Sequence, residues 1–136
     1  MDPTIILAIV DEKHAGKLVS EFTRAGFYVH VVQDGGAALH WTRATHPEFL
    51  VLGLWTPART GFEVIDALRR DETCAGTRII VLDDQPDADA ALEARASGAA
   101  AVWPASTPAD EVARRVLDLF RNASIGEKHA LPGGES

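Results

Sequence analysis

The feature that most constrains this chain is a repeated alternation of short apolar runs with amphipathic segments. Ile5 to Val10 is a continuous apolar run of strand length, rich in β-branched residues. Ala15, Leu18 and Phe22 then recur at helical spacing, and the segment closes at Gly26, a residue that favours the end of a helix. A strand that is apolar throughout must be covered on both faces, which is typical of a parallel sheet. The first unit therefore predicts a buried strand followed by a helix that packs on it.

The same pattern occurs five times. The predicted strands are Ile5–Val10, Phe27–Val32, Phe49–Leu54, Arg78–Leu82 and Ala99–Trp103, and the later predicted helices are Gly35–Thr45, Gly61–Asp71, Asp87–Ala96 and Pro108–Arg121. Short connections and right-handed crossovers place helices on both faces of such a sheet. The pattern predicts an α/β fold, a doubly wound five-stranded parallel sheet with five helices.

The length of 136 residues fits one domain, which we assign to residues 1–121. Residues 122–136 contain Gly126, Pro132, Gly133 and Gly134 without an apolar period. That composition predicts a flexible tail, or a linker to an output domain.

Charge and apolar content restrict the classes of partner. Thirteen Lys and Arg against 20 Asp and Glu give a net charge of -7, which disfavours direct nucleic-acid binding by this domain. The longest uncharged apolar run, Phe49–Pro57, is too short to span a bilayer, and the N-terminus does not resemble a signal peptide. We expect a cytoplasmic protein with no membrane contact. Cys74 is the only cysteine, which excludes an intrachain disulfide.

Acidic side chains follow two of the predicted strands. Asp11 and Glu12 come after the first strand and Asp83 after the fourth. Because ligands bind open α/β sheets at the carboxyl ends of the strands, these three acids could form one acidic pocket. The alternative is that Asp11 caps the first helix and that Asp83 belongs to a turn.

Several motifs in order resemble the receiver domain of two-component response regulators over residues 4–121. They are the acidic pair Asp11–Glu12, the segment Gly35–Leu39, the stretch Phe49–Gly61 with its Pro and Gly landmarks, the strand Ile79–Leu82 and the dipeptide Gly98–Ala99. The resemblance implies a flavodoxin-like topology. It also implies a site in which an Asp ending the third strand accepts a phosphoryl group beside Mg²⁺, with a Lys after the fifth strand and a hydroxyl residue ending the fourth.

The chain departs from that pattern at the residues that carry the chemistry. Gly53 stands at the former phospho-acceptor position, and no Asp or Glu occurs between Glu48 and Glu63. The Lys position falls on Pro104 or Ala105, and Asp83 replaces the hydroxyl residue. These losses predict that the domain is not an enzyme and that Asp11 and Glu12 alone would hold Mg²⁺ only weakly, so no cofactor is expected.

Two functions follow as alternatives. The first is an atypical receiver that acts in signal transduction through a phosphorylation-independent interaction with a protein partner or an output domain. The second is a ligand- or divalent-cation-binding sensor that uses the acidic pocket, with Trp55 and Thr56 as further pocket neighbours. The segment Asp11–Gly16 also comes near a cobalamin-binding box, although His14 is one residue late.

Alanines concentrate in the fourth helix and fifth strand, where few charges need desolvation. Receivers resembling this one pair through the fourth helix, fifth strand and fifth helix. We therefore expect a partner face, and a homodimer through it, formed by Ala91, Ala94, Arg95, Val102, Arg114, Arg115 and Asp118. The alternative is that these alanines are helix formers whose small side chains pack closely against the sheet.

Overall fold

The computed structural model describes residues 2–54, 60–84 and 88–130. Five strands alternate with five helices. The strands are β1 (Thr4–Ala8), β2 (Tyr28–Val31), β3 (Phe49–Gly53), β4 (Arg78–Asp83) and β5 (Ala101–Pro104). The helices are α1 (Glu12–Arg24), α2 (Gly35–Thr45), α3 (Gly61–Arg69), α4 (Ala88–Ser97) and α5 (Ala109–Ala130), with a 3₁₀ turn at Glu72–Cys74.

The sheet is parallel throughout, with strand order β2-β1-β3-β4-β5. Side chains of alternate strand residues feed two separate cores. Ile5 and Leu7 pack with Phe22 and Val112 under α1 and α5, whereas Ile6 packs on the opposite face under α2, α3 and α4. This is the doubly wound, flavodoxin-like arrangement that the alternation predicted, and the fold prediction is confirmed.

Helix starts are fixed by side-chain caps. Asp11 accepts a hydrogen bond from the backbone N–H of His14 at 3.1 Å, and Asp34 accepts one from Ala37 at 2.7 Å. At α3, Thr60 and Glu63 form a reciprocal capping box. These caps place the starts of α1, α2 and α3 after the carboxyl ends of β1, β2 and β3, where a site in this fold is expected.

Two elements end at residues other than those that the sequence predicted. β1 ends at Ala8, so Ile9 and Val10 leave the ladder before α1 begins. The helix predicted to end at Arg121 continues to Ala130, into the segment predicted to be a flexible tail. Within the described ranges, no helix combines the length and apolarity needed to cross a bilayer.

Candidate functional site

A pocket of about 260 Å³ lies at the carboxyl edge of the sheet. It is bounded by the ends of β1, β3 and β4, the start of α1 and the residue after β5. Its lining residues are Ile9, Val10, Asp11, His14, Gly53, Leu54, Leu82, Asp84 and Ala105. Six of these nine residues are apolar or glycine, and the other three are Asp11, His14 and Asp84.

Gly53 is the last residue of β3 and lies in this pocket, as the sequence predicted. Its neighbour on β1 follows from the register, because Ala8 pairs with Leu52 and Ile9 is therefore level with Gly53. Ile9 is buried, while Val10 is 49% exposed at the mouth. The two residues that directly follow β1 are thus apolar.

The acidic pair was expected at this edge of the sheet. The structure confirms this for Asp11, which lines the pocket, and contradicts it for Glu12, which does not. Asp11 and Glu12 come two residues later because β1 ends at Ala8. Asp11 caps α1 through the backbone of His14 and also lines the pocket. Glu12 is exposed in the first turn of α1 and does not line the pocket.

The fourth strand also differs from the prediction. Asp83 is buried, with 3% of its surface exposed, and is not a lining residue, whereas the exposed Asp84 is one. Asp11, Glu12 and Asp83 therefore do not form one acidic pocket. In the part of the chain that the structure describes, no three His, Cys, Asp or Glu side chains come together as a metal site would require.

The end of β5 decides between the two candidates for the Lys position. Pro104 is exposed as the last residue of β5, whereas Ala105 lines the pocket. The Ala105 N–H donates to the carbonyl of Asp83 at 2.8 Å, which fixes it beside β4. Among the described residues, none that lines the pocket is Lys or Arg. Trp55 and Thr56, the other predicted neighbours, lie outside the described residues.

His14 is a pocket residue that the sequence did not predict. It lines the pocket, and its Nε2 is buried without a hydrogen-bond partner. The sequence placed His14 at a solvated helix start, where a histidine has no reason to be buried. The signal that was available is the apolar pair Ile9–Val10, which brings the start of α1 over the pocket.

The predicted partner face is only partly at the surface. Ala94 is fully buried in the core under α4, and Val102 is half-buried against the same core. Placing Ala94 on a partner face is therefore wrong, because its methyl group fills the contact between α4 and the sheet. Ala91 is half-buried, Arg95 is exposed, and Leu92 is 67% exposed between them.

On α5, the predicted charges already have partners within the chain. Arg114 contacts Glu111 and also Asp118 at 3.2 Å, and Arg115 contacts Glu111 at 3.0 Å. The Arg115 guanidinium lies over the Trp103 ring, 5.2 Å from its centroid. Hydrogen bonds from Arg114 and then Arg115 hold the pKa of Glu111 below its ordinary value.

The geometry can now be set beside known proteins. A family model described as the response regulator receiver domain matches residues 6–104, most of the chain. This chain belongs to the receiver domain family of response regulators. The match includes the segment that came near a cobalamin box.

Individual relatives agree with the family. Hybrid signal transduction histidine kinase D of Dictyostelium discoideum is 24% identical over 116 residues, which cover 85% of this chain and 8% of that protein. Regulatory protein AtoC of Escherichia coli is 28% identical over 95 residues, covering 69% and 20%. The chain therefore spans a small part of each of these relatives.

A solved structure supports the fold. The receiver domain of the response regulator NarL from Mycobacterium tuberculosis superposes with a TM-score of 0.81 at 21% identity, covering 88% of this chain and 97% of that one. The chain is a receiver domain of two-component signalling. Such domains typically connect to output domains or to partner proteins.

Proposed function

We propose that this receiver domain transmits signals by phosphorylation-independent protein–protein interaction and has no phosphoryl-transfer activity. One observation carries the proposal: Gly53 stands at the end of β3, inside the pocket at the carboxyl edge of the sheet. A glycine has no group that can accept a phosphoryl group. The side chain of its neighbour Ile9 offers no oxygen to a cation that would accompany one.

The negative charge of a phosphoryl group would also have to be offset in this pocket. Phosphoryl transfer depends almost entirely on positioning and on offsetting negative charge. The sequence contains no Lys or Arg from Ala96 to Ala113, and the residue that enters the pocket after β5 is Ala105. Asp11 and Asp84 at the pocket would repel a phosphoryl group.

Amide NMR spectra recorded with Mg²⁺ and beryllofluoride test this proposal, because beryllofluoride assembles at an intact acyl-phosphate site. We expect no saturable change in the signals of Gly53, Leu54 and Ala105. A receiver with an Asp at the acceptor position, treated in parallel, is the control for the reagent. Saturable shifts of those three signals in this domain would refute the proposal.

For the interaction itself we propose the outward side of α4, centred on Leu92, as the contact with a second copy. Leu92 is 67% exposed and is flanked by Ala91 and by the charged Glu93 and Arg95. An exposed leucine bordered by charges is a plausible centre for an interface with a polar rim. No membrane contact and no direct nucleic-acid contact is part of this proposal.

Light scattering tests the contact with a second copy. If the domain dimerises through α4, Leu92→Glu shifts its mass to that of the monomer and leaves the circular dichroism spectrum unchanged. Ala94→Glu is the contrasting variant, because it buries an unpaired charge and should unfold the domain instead. A dimer that persists in Leu92→Glu would place the interface elsewhere.

A further inference from the structure

Strand β2 is an edge of the sheet whose outer side is open. It pairs with β1 on one side and, in the described part of the chain, with no strand on the other. The N–H groups of Tyr28 and Val32 both donate to carbonyl oxygens on the β1 side, each at 2.9 Å. Because backbone groups alternate along a strand, the N–H and C=O groups of Val29 and Val31 point away from β1. The open side therefore offers two donors and two acceptors to an added strand.

The sequence of β2 lacks the features that usually protect an open edge. Residues 27–33 include no Lys, Arg, Asp, Glu or Pro. The other edge strand, β5, ends in Pro104, and the Arg115 guanidinium lies over its Trp103 ring. Natural proteins place charges and prolines on edge strands to prevent pairing with other chains. The β5 edge has part of this protection, whereas the β2 edge has none of it.

Exposed apolar side chains gather along the same edge. Tyr28 is 66% exposed, Val31 is 37% exposed and, on the neighbouring α2, Trp41 is 39% exposed. The His30 and Trp41 rings meet edge to face with centroids 5.0 Å apart, which places Trp41 beside β2. Because side chains alternate along a strand, Tyr28 lies on the α2 face with His30. Val31 lies on the opposite face with Val29, which packs in the core under α1.

The two faces of this edge specify different side chains for the added strand. On the α1 face, Val31 offers an apolar contact to a β-branched residue. On the α2 face, the Tyr28 and Trp41 rings are aromatic surfaces that attract the cations of Lys or Arg. The net charge of -7 also attracts a basic segment. A strand in which β-branched and basic residues alternate matches both faces, whereas the chain's own β2 contains no Lys or Arg.

We propose that the open edge of β2 binds an extended segment of a partner protein in which β-branched and basic residues alternate. The segment adds a sixth strand to the sheet through hydrogen bonds to the backbone of Val29 and Val31. The inference rests on the proposed function in one respect, which is that the domain acts by contact with a protein. Beryllofluoride is read at Gly53 and the added strand at Val29 and Val31, so either proposal can fail without the other.

The probe is the peptide acetyl-Lys-Val-Arg-Val-Lys-Val-amide, titrated into the full chain while amide NMR signals are followed. We expect saturable shifts of the Val29, His30 and Val31 signals, and slower hydrogen exchange at the N–H groups of Val29 and Val31. A matched peptide with Glu in place of Lys and Arg should bind at least about tenfold more weakly. No saturable shift with the basic peptide, or equal binding of the two peptides, overturns the proposal.

N-methylated peptides separate strand addition from simple attraction between charges. In a strand, only alternate N–H groups face a given neighbour. One peptide is methylated at the nitrogens of its Val residues and the other at the nitrogens of its basic residues. One of the two should lose binding, and the other should retain most of it. Equal effects of the two methylation patterns would show that no strand is added.

Variants locate the binding at β2. Val31→Pro removes an N–H that points away from β1 and should abolish binding. Val31→Lys, which adds a repelling charge to the edge, is the second variant if the first does not fold. Ala100→Lys should bind as the wild type does, because Ala100 is exposed beside the other edge strand. Trp41→Ala should weaken binding about two- to fivefold through the lost cation–π contact.

Two results would contradict the assigned site or partner. Unchanged binding of the basic peptide in a folded Val31 variant would place the peptide elsewhere on the domain. Shifts of the Val29 and Val31 signals that depend on protein concentration, without any peptide, would mean that a second copy occupies the edge.

Discussion

Polar side chains have different roles at the two ends of the sheet. At the amino end, the Arg69 guanidinium donates to the carbonyl oxygens of Gly98 at 3.3 Å, Cys74 at 3.4 Å and Thr77 at 2.7 Å. The Thr77 hydroxyl in turn donates to the Pro47 carbonyl at 2.6 Å. One side chain from α3 therefore ties together the segments that lead into β4 and β5, and its hydrogen-bonding groups serve the fold.

At the carboxyl end, the polar side chains Asp11, His14 and Asp84 line a pocket. In its described lining these residues lie beside Gly53 and five apolar residues. The difference teaches where to look for function in this domain. Polar residues at the amino end stabilise loops, whereas the unfilled, apolar carboxyl end is where a ligand or partner can gain binding energy.

Removing Arg69 should have the largest effect on stability. We expect Arg69→Ala to lower the free energy of unfolding by about 2–4 kcal/mol, because three carbonyl groups lose a charged donor. Arg70→Ala is the control, since Arg70 forms an exposed ion pair with Asp66 and should change stability by less than about 1 kcal/mol. Urea unfolding measures both values. Equal losses would mean that the amino end is not held by Arg69.

Substitutions at two glycines test the role of Arg69 at the amino end of the sheet. Gly98 and Gly26 both have positive φ, 126° and 101°, so alanine is strained at either position. At Gly98 the new Cβ would also lie 2.5 Å from Arg69 Cγ, whereas at Gly26 it would meet nothing within 4 Å. We expect Gly98→Ala to cost about 2–3 kcal/mol and Gly26→Ala about 1 kcal/mol. In an Arg69→Ala background this difference should shrink, and a difference that stays constant would contradict the role given to Arg69.

Asp11 tests the carboxyl end. If it serves mainly as a helix cap, Asp11→Ala should lower the free energy of unfolding by about 1 kcal/mol, because the His14 N–H loses its acceptor. Asp11→Ser should recover most of that loss, since serine also caps helices. Thermal melts of the three proteins give the comparison. A stabilising effect of Asp11→Ala would indicate that charge repulsion at the pocket outweighs capping.

Gly53→Asp should have the smallest effect on stability and is the most informative about chemistry. The position has room for a side chain, so we expect a folded domain whose unfolding free energy changes by less than about 1 kcal/mol. Phosphorylation by acetyl phosphate should remain very slow, because the pocket lacks the usual charge compensation. Gly53→Ala is the matched control for the added Cβ. Rapid and complete phosphorylation of Gly53→Asp would show that the acceptor alone was missing.

The sequence predicted the fold because the apolar runs and helical periods agree along the whole chain. It also identified Gly53 correctly as a pocket position, since the strand that ends there is unambiguous. It placed Asp11 at the pocket correctly and failed at Glu12, because the apolar run Ile5–Val10 does not show whether its last two residues leave the ladder. That two-residue difference decides which side chains reach the pocket.

The α4 prediction failed for a different reason. Alanines occur on every side of this helix, so its apolar pattern does not show which side packs on the sheet. Only the tertiary contacts place Ala94 in the core and leave Leu92 exposed. A helix of small residues can be located from sequence, but its orientation cannot.

The most direct test of the account is the intact mass of the wild-type domain after incubation with acetyl phosphate and Mg²⁺. With Gly53 at the end of β3 and no acceptor carboxylate there, the mass should stay unchanged while a receiver with an acceptor Asp gains one phosphoryl group under the same conditions. A stoichiometric gain of one phosphoryl group, labile to base and mapped to this domain, would contradict the account.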